Sequence, residues 1–263
     1  MKQLIERAAR DLADSKYAIA LTGAGISTES GIADFRGPSG IWTKNPEAER
    51  RAYRSYERFL EDPKAWWEER LTSTSQLGNL EKATPNPGHY AMTELEKLGI
   101  VKCLITQNVD ALHEKAGTRN LLEYHGSVLK LRCTSCASRF SRDEFDLEKL
   151  RQENQLPPHC PKCRGIIKSD GVAFGEPIPS NTANQSLEEA WKCDLMLICG
   201  TSAVVYPFAS LPRIAKERRT VAIIEINAEP TPLTEEGISD YLIQGRTGEI
   251  LPKIVEEVKK TRE

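Results

Sequence analysis

YAIALTGAGISTESGIADFRG, residues 17–37, decides the fold. It opens on a short apolar run that stops at a glycine turn. The run is too short for a helix of its own and reads as a buried strand. Working outward, four more runs have the same character: VKCLIT (101–106), DLMLICG (194–200), VAIIEIN (221–227) and DYLIQG (240–245). Stretches with helical spacing follow or separate them: PGHYAMTELEKLG (87–99), SLEEAWK (186–192), PFASLPRIAKER (207–218) and TGEILPKIVEEVKK (247–260). The opening MKQLIERAARDLADSK sets Leu4, Ile5, Ala8, Ala9, Leu12 and Ala13 at helical spacing between charges and reads as an amphipathic first helix. Strand alternating with helix predicts an α/β fold, a Rossmann-like parallel sheet with helices on both faces.

Two segments break this rhythm. Residues 38–83 are rich in charge and tryptophan and read as a helical insertion. Residues 130–170 carry four cysteines and the turn-rich PPHCPKCRG. The expected organisation is a large domain from 1–37, 84–129 and 171–263, with a smaller zinc-ribbon and helical domain from 38–83 and 130–170, inserted at loops. Such insertions flank the ligand crevice off the carboxyl ends of the strands.

Composition narrows the function classes. With 263 residues, 28% charged and 39% hydrophobic, the chain suits one large domain with a smaller attachment. A net charge of -2 argues against a whole-chain electrostatic grip on nucleic acid. No apolar run reaches the roughly 20 residues of a membrane helix. The N-terminus does not read as a signal peptide, so a cytoplasmic protein with reduced thiols is expected.

Four of the seven cysteines form two identical pairs, Cys133-x2-Cys136 and Cys160-x2-Cys163, separated by 23 residues. Each pair brings two thiolates and nearby backbone N–H groups toward one ion, and two pairs close a tetrahedron of soft ligands. One zinc is expected, with no coordination position left for water, so its role is structural. His159, beside Cys160, is the weaker alternative ligand.

In the turn after the first strand, Gly23 and Gly25 would let backbone approach a pyrophosphate, although position 28 is Thr where a third glycine would complete GxGxxG. A plain βα turn explains two glycines nearly as well. It does not explain Ser27, Asp34, Phe35 and Arg36, which gather a hydroxyl, a carboxylate, a ring and a guanidinium in one non-periodic loop.

Here the chain resembles the sirtuins, NAD-dependent protein deacylases. The resemblance lies in GAGISTESGIADFRG, TQNVD (106–110), LHEKAG (112–117), EYHGS (123–127), VAFGE (172–176), GTSAVVYP (200–207) and INAEP (226–230). The motifs come in the family's order and span residues 20–250, with the cysteine pairs between the HG and FGE motifs. The look is closest to archaeal and bacterial members.

The resemblance implies that NAD binds between the two domains and that an acylated lysine enters on a peptide lying as an extra strand. The amide oxygen attacks C1′ of the nicotinamide ribose, nicotinamide leaves, a histidine acts as general base on the ribose hydroxyls, and the acyl group ends on ADP-ribose. It makes His125 that base, with Asn108 and Asp110 holding the carboxamide and ribose end of the cofactor. Gly23, Ala24, Gly25, Asp34 and Arg36 are implied NAD contacts, Phe35 covers the reacting sugar face, and Gln107 lies beside the ribose. Gly200, Thr201 and Ser202 match the adenosine-side loop, Asn227 and Glu229 the adenine ribose contacts, and Thr247 a backbone contact to adenine. Val172, Phe174, Gly175 and Glu176, facing Val205 and Tyr206, form the peptide cleft by strand addition. The implied partners are acyl-lysine proteins or peptides, with chromatin or DNA-binding proteins among possible targets. A monomer is expected.

Bland readings stand beside these. His113 reads as a structural helix residue and His89 as packing or capping. Asp110 is also a candidate helix cap. Trp66 and Trp67 suit core packing as well as a ligand tunnel. Ala33 stands where the family motif usually has Pro, which leaves the cofactor loop less stiff. Members that prefer acidic acyl groups carry Tyr-x-x-Arg. The positions matched here, Trp67 and Arg70, lack the tyrosine hydroxyl, so weak or absent desuccinylation is expected. Two rival functions remain: mono-ADP-ribosyl transfer to protein from the same NAD site, and a non-enzymatic zinc-ribbon module using Arg132, Arg139, Arg142, Lys162, Arg164 and Lys168. The second has no need of the HG, QNVD and glycine-loop motifs together.

Overall fold

The structure, a computed structural model, describes residues 1–37, 40–72, 80, 82–218 and 220–262. Helix α1 (Lys2–Asp14) leads into β1 (Ala18–Thr22). Four helices follow, α2 (Ile41–Lys44), α3 (Pro46–Tyr53), α4 (Ser55–Glu61) and α5 (Pro63–Thr72). Next come α6 (Pro87–Lys97), β2 (Val101–Thr106), α7 (Leu112–Ala116) and β3 (Leu121–Glu123). The cysteine segment holds β4 (Lys130–Cys133), β5 (Arg139–Ser141), α8 (Leu147–Gln152) and β6 (Ile167–Ser169). The chain ends with α9 (Ser180–Lys192), β7 (Leu195–Cys199), α10 (Ser210–Lys216), β8 (Ala222–Asn227), α11 (Pro232–Glu235), β9 (Tyr241–Gln244) and α12 (Thr247–Arg262). The parts of the expected insertion at 38–39, 73–79 and 81 lie outside the described residues.

Six strands form one sheet in the order β3-β2-β1-β7-β8-β9, every pair parallel. Counted along the sheet's own strands this is the doubly wound order 3-2-1-4-5-6, and its direction reverses between β1 and β7. β1 shows why the expected α/β fold forms. Ala18 and Ala20 face one core with Ile5, Leu12, Met92, Leu251 and Ile254, from α1, α6 and α12. Ile19 and Leu21 face the other, with Ala190, Leu211 and Ala215 from α9 and α10. Alternate residues of one strand thus serve two layers of helix, and that explains its unbroken apolar run.

A second sheet, β5-β4-β6, is antiparallel. Phe59, Trp66 and Trp67 of α4 and α5 share one buried cluster with Leu131, Phe140, Leu147, Leu156 and Ile167 of the cysteine segment. Trp67 is fully buried and its Nε1 donates to the Ile167 carbonyl at 2.9 Å. Of the two readings left open for these tryptophans, core packing is the one seen.

The sequence reading missed β3 and the ribbon strands. β3 has three residues, two of them only half-buried, and β5 alternates exposed Arg139 and Ser141 around Phe140. Such runs are too short and polar for a periodicity signal. Helix α9 begins at Ser180 rather than Ser186 because SNTANQ carries no apolar period to betray it.

Candidate functional site

The carboxyl ends of β1, β2 and β7 meet where the strand order reverses. The glycine turn continues as a 3-10 helix, Ala24–Ser30. The Gly25 amide donates to the Gly200 carbonyl at 2.7 Å. A Cβ on Gly25 would lie 2.8 Å from Gly200 Cα, and one on Gly23 would lie 2.6 Å from Thr201 Cβ. These glycines are therefore required where two loops cross, quite apart from any ligand. Gly200 has φ +61, and a Cβ there would lie 2.3 Å from the Ile26 nitrogen.

Polar side chains knit this junction together. Asn108 Nδ2 donates to the Gly23 carbonyl at 3.0 Å and to Ser27 Oγ at 3.1 Å. Ser27 in turn donates to Asp110 Oδ2 at 2.7 Å. Asp110 Oδ1 accepts from the Leu112 amide at 2.9 Å at the start of α7, which is the capping contact. Burial raises the Asp110 carboxyl pKa, against the pull of the Leu112 and Ser27 bonds. Gln107 Nε2 donates to Thr201 Oγ1 at 2.7 Å.

His125 sits beside this web. Its Nδ1 lies 3.2 Å from the Gln107 carbonyl, which can only accept, so Nδ1 carries the proton and Nε2 keeps a lone pair. Burial lowers the His125 pKa and the Gln107 carbonyl opposes that in part. The ring is flanked by Tyr124 at 5.4 Å and by the buried Phe208 at 6.4 Å between centroids.

His89 belongs to the same web, which its sequence did not disclose. The Asn86 amide donates to His89 Nδ1 at 3.3 Å, which is the expected cap. His89 Nε2 is then the protonated nitrogen, 3.4 Å from Ser27 Oγ. Burial pushes His89 down to about 4, and His113, 4.8 Å away between centroids, is pushed well below its ordinary value. His113 Nε2 meets Thr22 Oγ1 at 3.0 Å, in keeping with the structural reading.

Other expected site residues lie further out. Asn227 Nδ2 donates to the Glu229 carbonyl at 2.8 Å at the end of β8. Thr247 opens α12, and its buried Oγ1 has no hydrogen-bond partner among the described residues. Ser202 is exposed. Asp34 Oδ1 accepts from the Gly37 amide at 2.9 Å. Arg36 lies over the Trp42 ring at 4.5 Å and pairs with Glu49 at 3.3 Å, so its charge is engaged within the chain. Phe35 packs on Trp42 at 4.7 Å, Trp42 on Phe174 at 5.6 Å, and Phe174 stacks on Tyr53 at 4.2 Å. The Val172 amide donates to the His125 carbonyl at 2.8 Å, which ties the expected peptide segment to the histidine. Gly175 is exposed, as is Tyr206 beside half-buried Val205. The Glu176 carboxylate is held by Arg132 at 2.9 Å, Lys168 at 3.0 Å and the Ala173 amide at 2.9 Å. These contacts brace the 172–176 segment from within the chain.

The four cysteine sulfurs all lie within 4.8 Å of one another. Cys133 and Cys163 sulfurs are 3.5 Å apart, and those of Cys136 and Cys160 are 3.7 Å apart. Zinc–sulfur bonds of about 2.3 Å in a tetrahedron give sulfur–sulfur edges of about 3.8 Å, so the donor set fits one zinc with no open position. Each pair ends on a left-handed residue, Ala137 at φ 57 and Arg164 at φ 65. Ser135 and Cys136 amides donate to Cys133 Sγ at 3.4 and 3.5 Å. His159 Nδ1 instead faces the Arg164 carbonyl at 3.1 Å, outside the cluster.

Comparison with known proteins places this geometry. Residues 23–207 match the Sir2 family. A relative from Archaeoglobus fulgidus, named NAD-dependent protein deacylase 2, is 46% identical over 263 residues, 100% of this chain and 99% of the relative. A solved Sir2 homologue–NAD complex is 40% identical with TM-score 0.78, covering 98% of this chain and 95% of that one. A Sir2 protein bound to a myristoylated histone peptide is 40% identical with TM-score 0.71, covering 100% of this chain and 99% of that one. With most of its length matched by the family and its whole length by a relative at this identity, the chain belongs to the Sir2 family.

Proposed function

We propose that this chain is an NAD-dependent protein lysine deacylase, moving the acyl group of an acyl-lysine to ADP-ribose with release of nicotinamide. The observation that carries the reading is His125: its Nδ1 is tied to the Gln107 carbonyl, which leaves Nε2 with its lone pair as a base whose pKa burial lowers. A base with depressed pKa is already deprotonated at neutral pH. NAD supplies a ribose whose bond to nicotinamide can be broken.

The chain's own residues divide the remaining work. Gly23, Ala24, Gly25, Gly200, Thr201 and Ser202 form the loops that would receive the dinucleotide. Asn227, Glu229 and Thr247, the last through its backbone, would stand on the adenine side. Asn108 and Asp110, braced by Ser27, would hold the nicotinamide end. Phe35, held against Trp42, would cover the reacting sugar and exclude water. His125 Nε2 takes a proton from a sugar hydroxyl. The acyl-lysine peptide would lie along Val172–Glu176, opposite Val205 and Tyr206, as an added strand. The zinc holds the small unit together and takes no part in the chemistry. Chromatin or DNA-binding proteins are among the targets proposed, and the enzyme is proposed to act as a monomer in the cytoplasm, where the three cysteines outside the metal cluster, Cys103, Cys193 and Cys199, stay reduced.

Mass spectrometry of products tests the reading with acetyl-lysine and succinyl-lysine peptides plus NAD. The acetyl peptide is expected to lose its acyl group and ADP-ribose to gain it, with the succinyl peptide turned over far more slowly. A peptide that keeps its acyl group and gains ADP-ribose would sink the deacylase reading.

A further inference from the structure

We infer that Asp170 is a positioning residue for His125, through which the cysteine-bearing unit sets where the histidine stands. The inference rests on the reading of His125 as general base. Asp170 directly follows β6, the strand that pairs with Cys133-bearing β4. Its side chain is fully buried. Three consecutive residues of the histidine turn lock onto the segment it begins. The His125 carbonyl accepts from the Val172 amide at 2.8 Å. Gly126, at φ +79, lies so close that a Cβ would sit 2.1 Å from the Asp170 carbonyl oxygen. The Ser127 amide donates to Asp170 Oδ2 at 2.8 Å.

The lock is reinforced from the ribbon. Arg139 of β5 donates through Nε to Asp170 Oδ1 at 3.0 Å and through Nη2 to Asp170 Oδ2. The same Nη2 reaches Glu123 Oε2 at 2.8 Å, and Lys130 Nζ reaches that oxygen at 2.8 Å. Glu123 ends β3, two residues before His125. One guanidinium therefore joins the carboxylates on either side of the histidine turn, while Arg132 Nη1 lies 3.8 Å from Asp170 Oδ1. Charge-assisted bonds in a buried setting hold geometry more firmly than neutral ones. Lys130 of β4 adds to the lock, its Nζ on Glu123 and its amide donating to the Ser127 carbonyl at 3.3 Å.

The test uses full-length Asp170→Ala and the conservative Asp170→Asn. Three readouts apply: zinc content, amide hydrogen exchange of the peptide containing Ser127, and two partial reactions. Nicotinamide–NAD exchange reports the step before the base acts; deacylation needs the base. In Asp170→Ala, Ser127 exchange is expected to rise about tenfold and deacylation to fall about tenfold or more, the size of one lost charge-assisted bond. Nicotinamide exchange should stay within about twofold and zinc content should be unchanged, as expected when only a base is misplaced. Asp170→Asn, which keeps an acceptor for Ser127, should recover part of both losses. Arg139→Gln, which leaves Asp170 and its bond to Ser127 in place and alters a side chain that is 40% exposed, should show the same split at smaller size and keeps the idea testable if Asp170→Ala does not fold. Unchanged Ser127 protection, or equal loss of both reactions, overturns the inference. A wild-type enzyme that releases no nicotinamide from NAD and acetyl-lysine peptide overturns the deacylase reading instead.

Discussion

His125 and His89 are both neutral histidines at neutral pH, for different ends. His125 presents its free Nε2; His89 turns its Nε2 proton to Ser27 and lies fully buried. The EYHG motif made His125 legible in the sequence. The Asp110–Ser27–His89 chain was not, because its members lie 62 and 83 residues apart and only the fold brings them together. The His89 pKa gives a stability prediction. Its folded value is about 4, and the unfolded value is about 6.5. The unfolded chain therefore binds the proton first, so this contribution is complete above about pH 6.5 and is lost progressively as pH falls toward the folded value. The loss amounts to about 3 kcal/mol at pH 4. Urea titrations across this range should show a shallower pH slope in His89→Asn than in wild type. Equal slopes would exclude His89 as the source.

At the scale of elements, the cysteine pairs were readable because ligand spacing is a local property, and both pairs repeat the same turn. The strands that carry them were not, since three-residue strands with Arg, Lys and Ser have no periodicity to read. The small unit's core is modest, so metal binding should carry much of its folding free energy. Elemental analysis should find about one zinc per chain. Chelation should shift Trp66 and Trp67 fluorescence toward solvent-exposed values and abolish activity, while the parallel sheet survives in circular dichroism. A metal-free protein with full activity and unchanged fluorescence would show that the cysteines hold the unit together by themselves. For the glycines of the β1 turn, sequence suggested phosphate approach, whereas the structure shows that crossing of the β1 and β7 loops already demands them.

At the scale of the molecule, five of the six parallel strands and most helices announced themselves through apolar runs and helical spacing. Strand order did not, since order is set by crossovers rather than by any strand's own residues. The fold puts the β1–β7 reversal, the β2 end and the histidine turn at one crevice, with the helical insertion's aromatics and the ribbon's ion pairs around it. In this crevice NAD is proposed to meet an acyl-lysine, with His125 acting as base. The most direct test measures nicotinamide release with NAD alone, acetyl-lysine peptide alone, and both together, in wild type and His125→Ala, with deacetylated peptide followed in the same tubes. Release and deacetylation are expected only with both reactants, with deacetylation reduced at least about a hundredfold in His125→Ala, the usual scale of general-base catalysis. Deacetylation that proceeds without NAD, or at the wild-type rate in His125→Ala, would contradict this reading of the crevice.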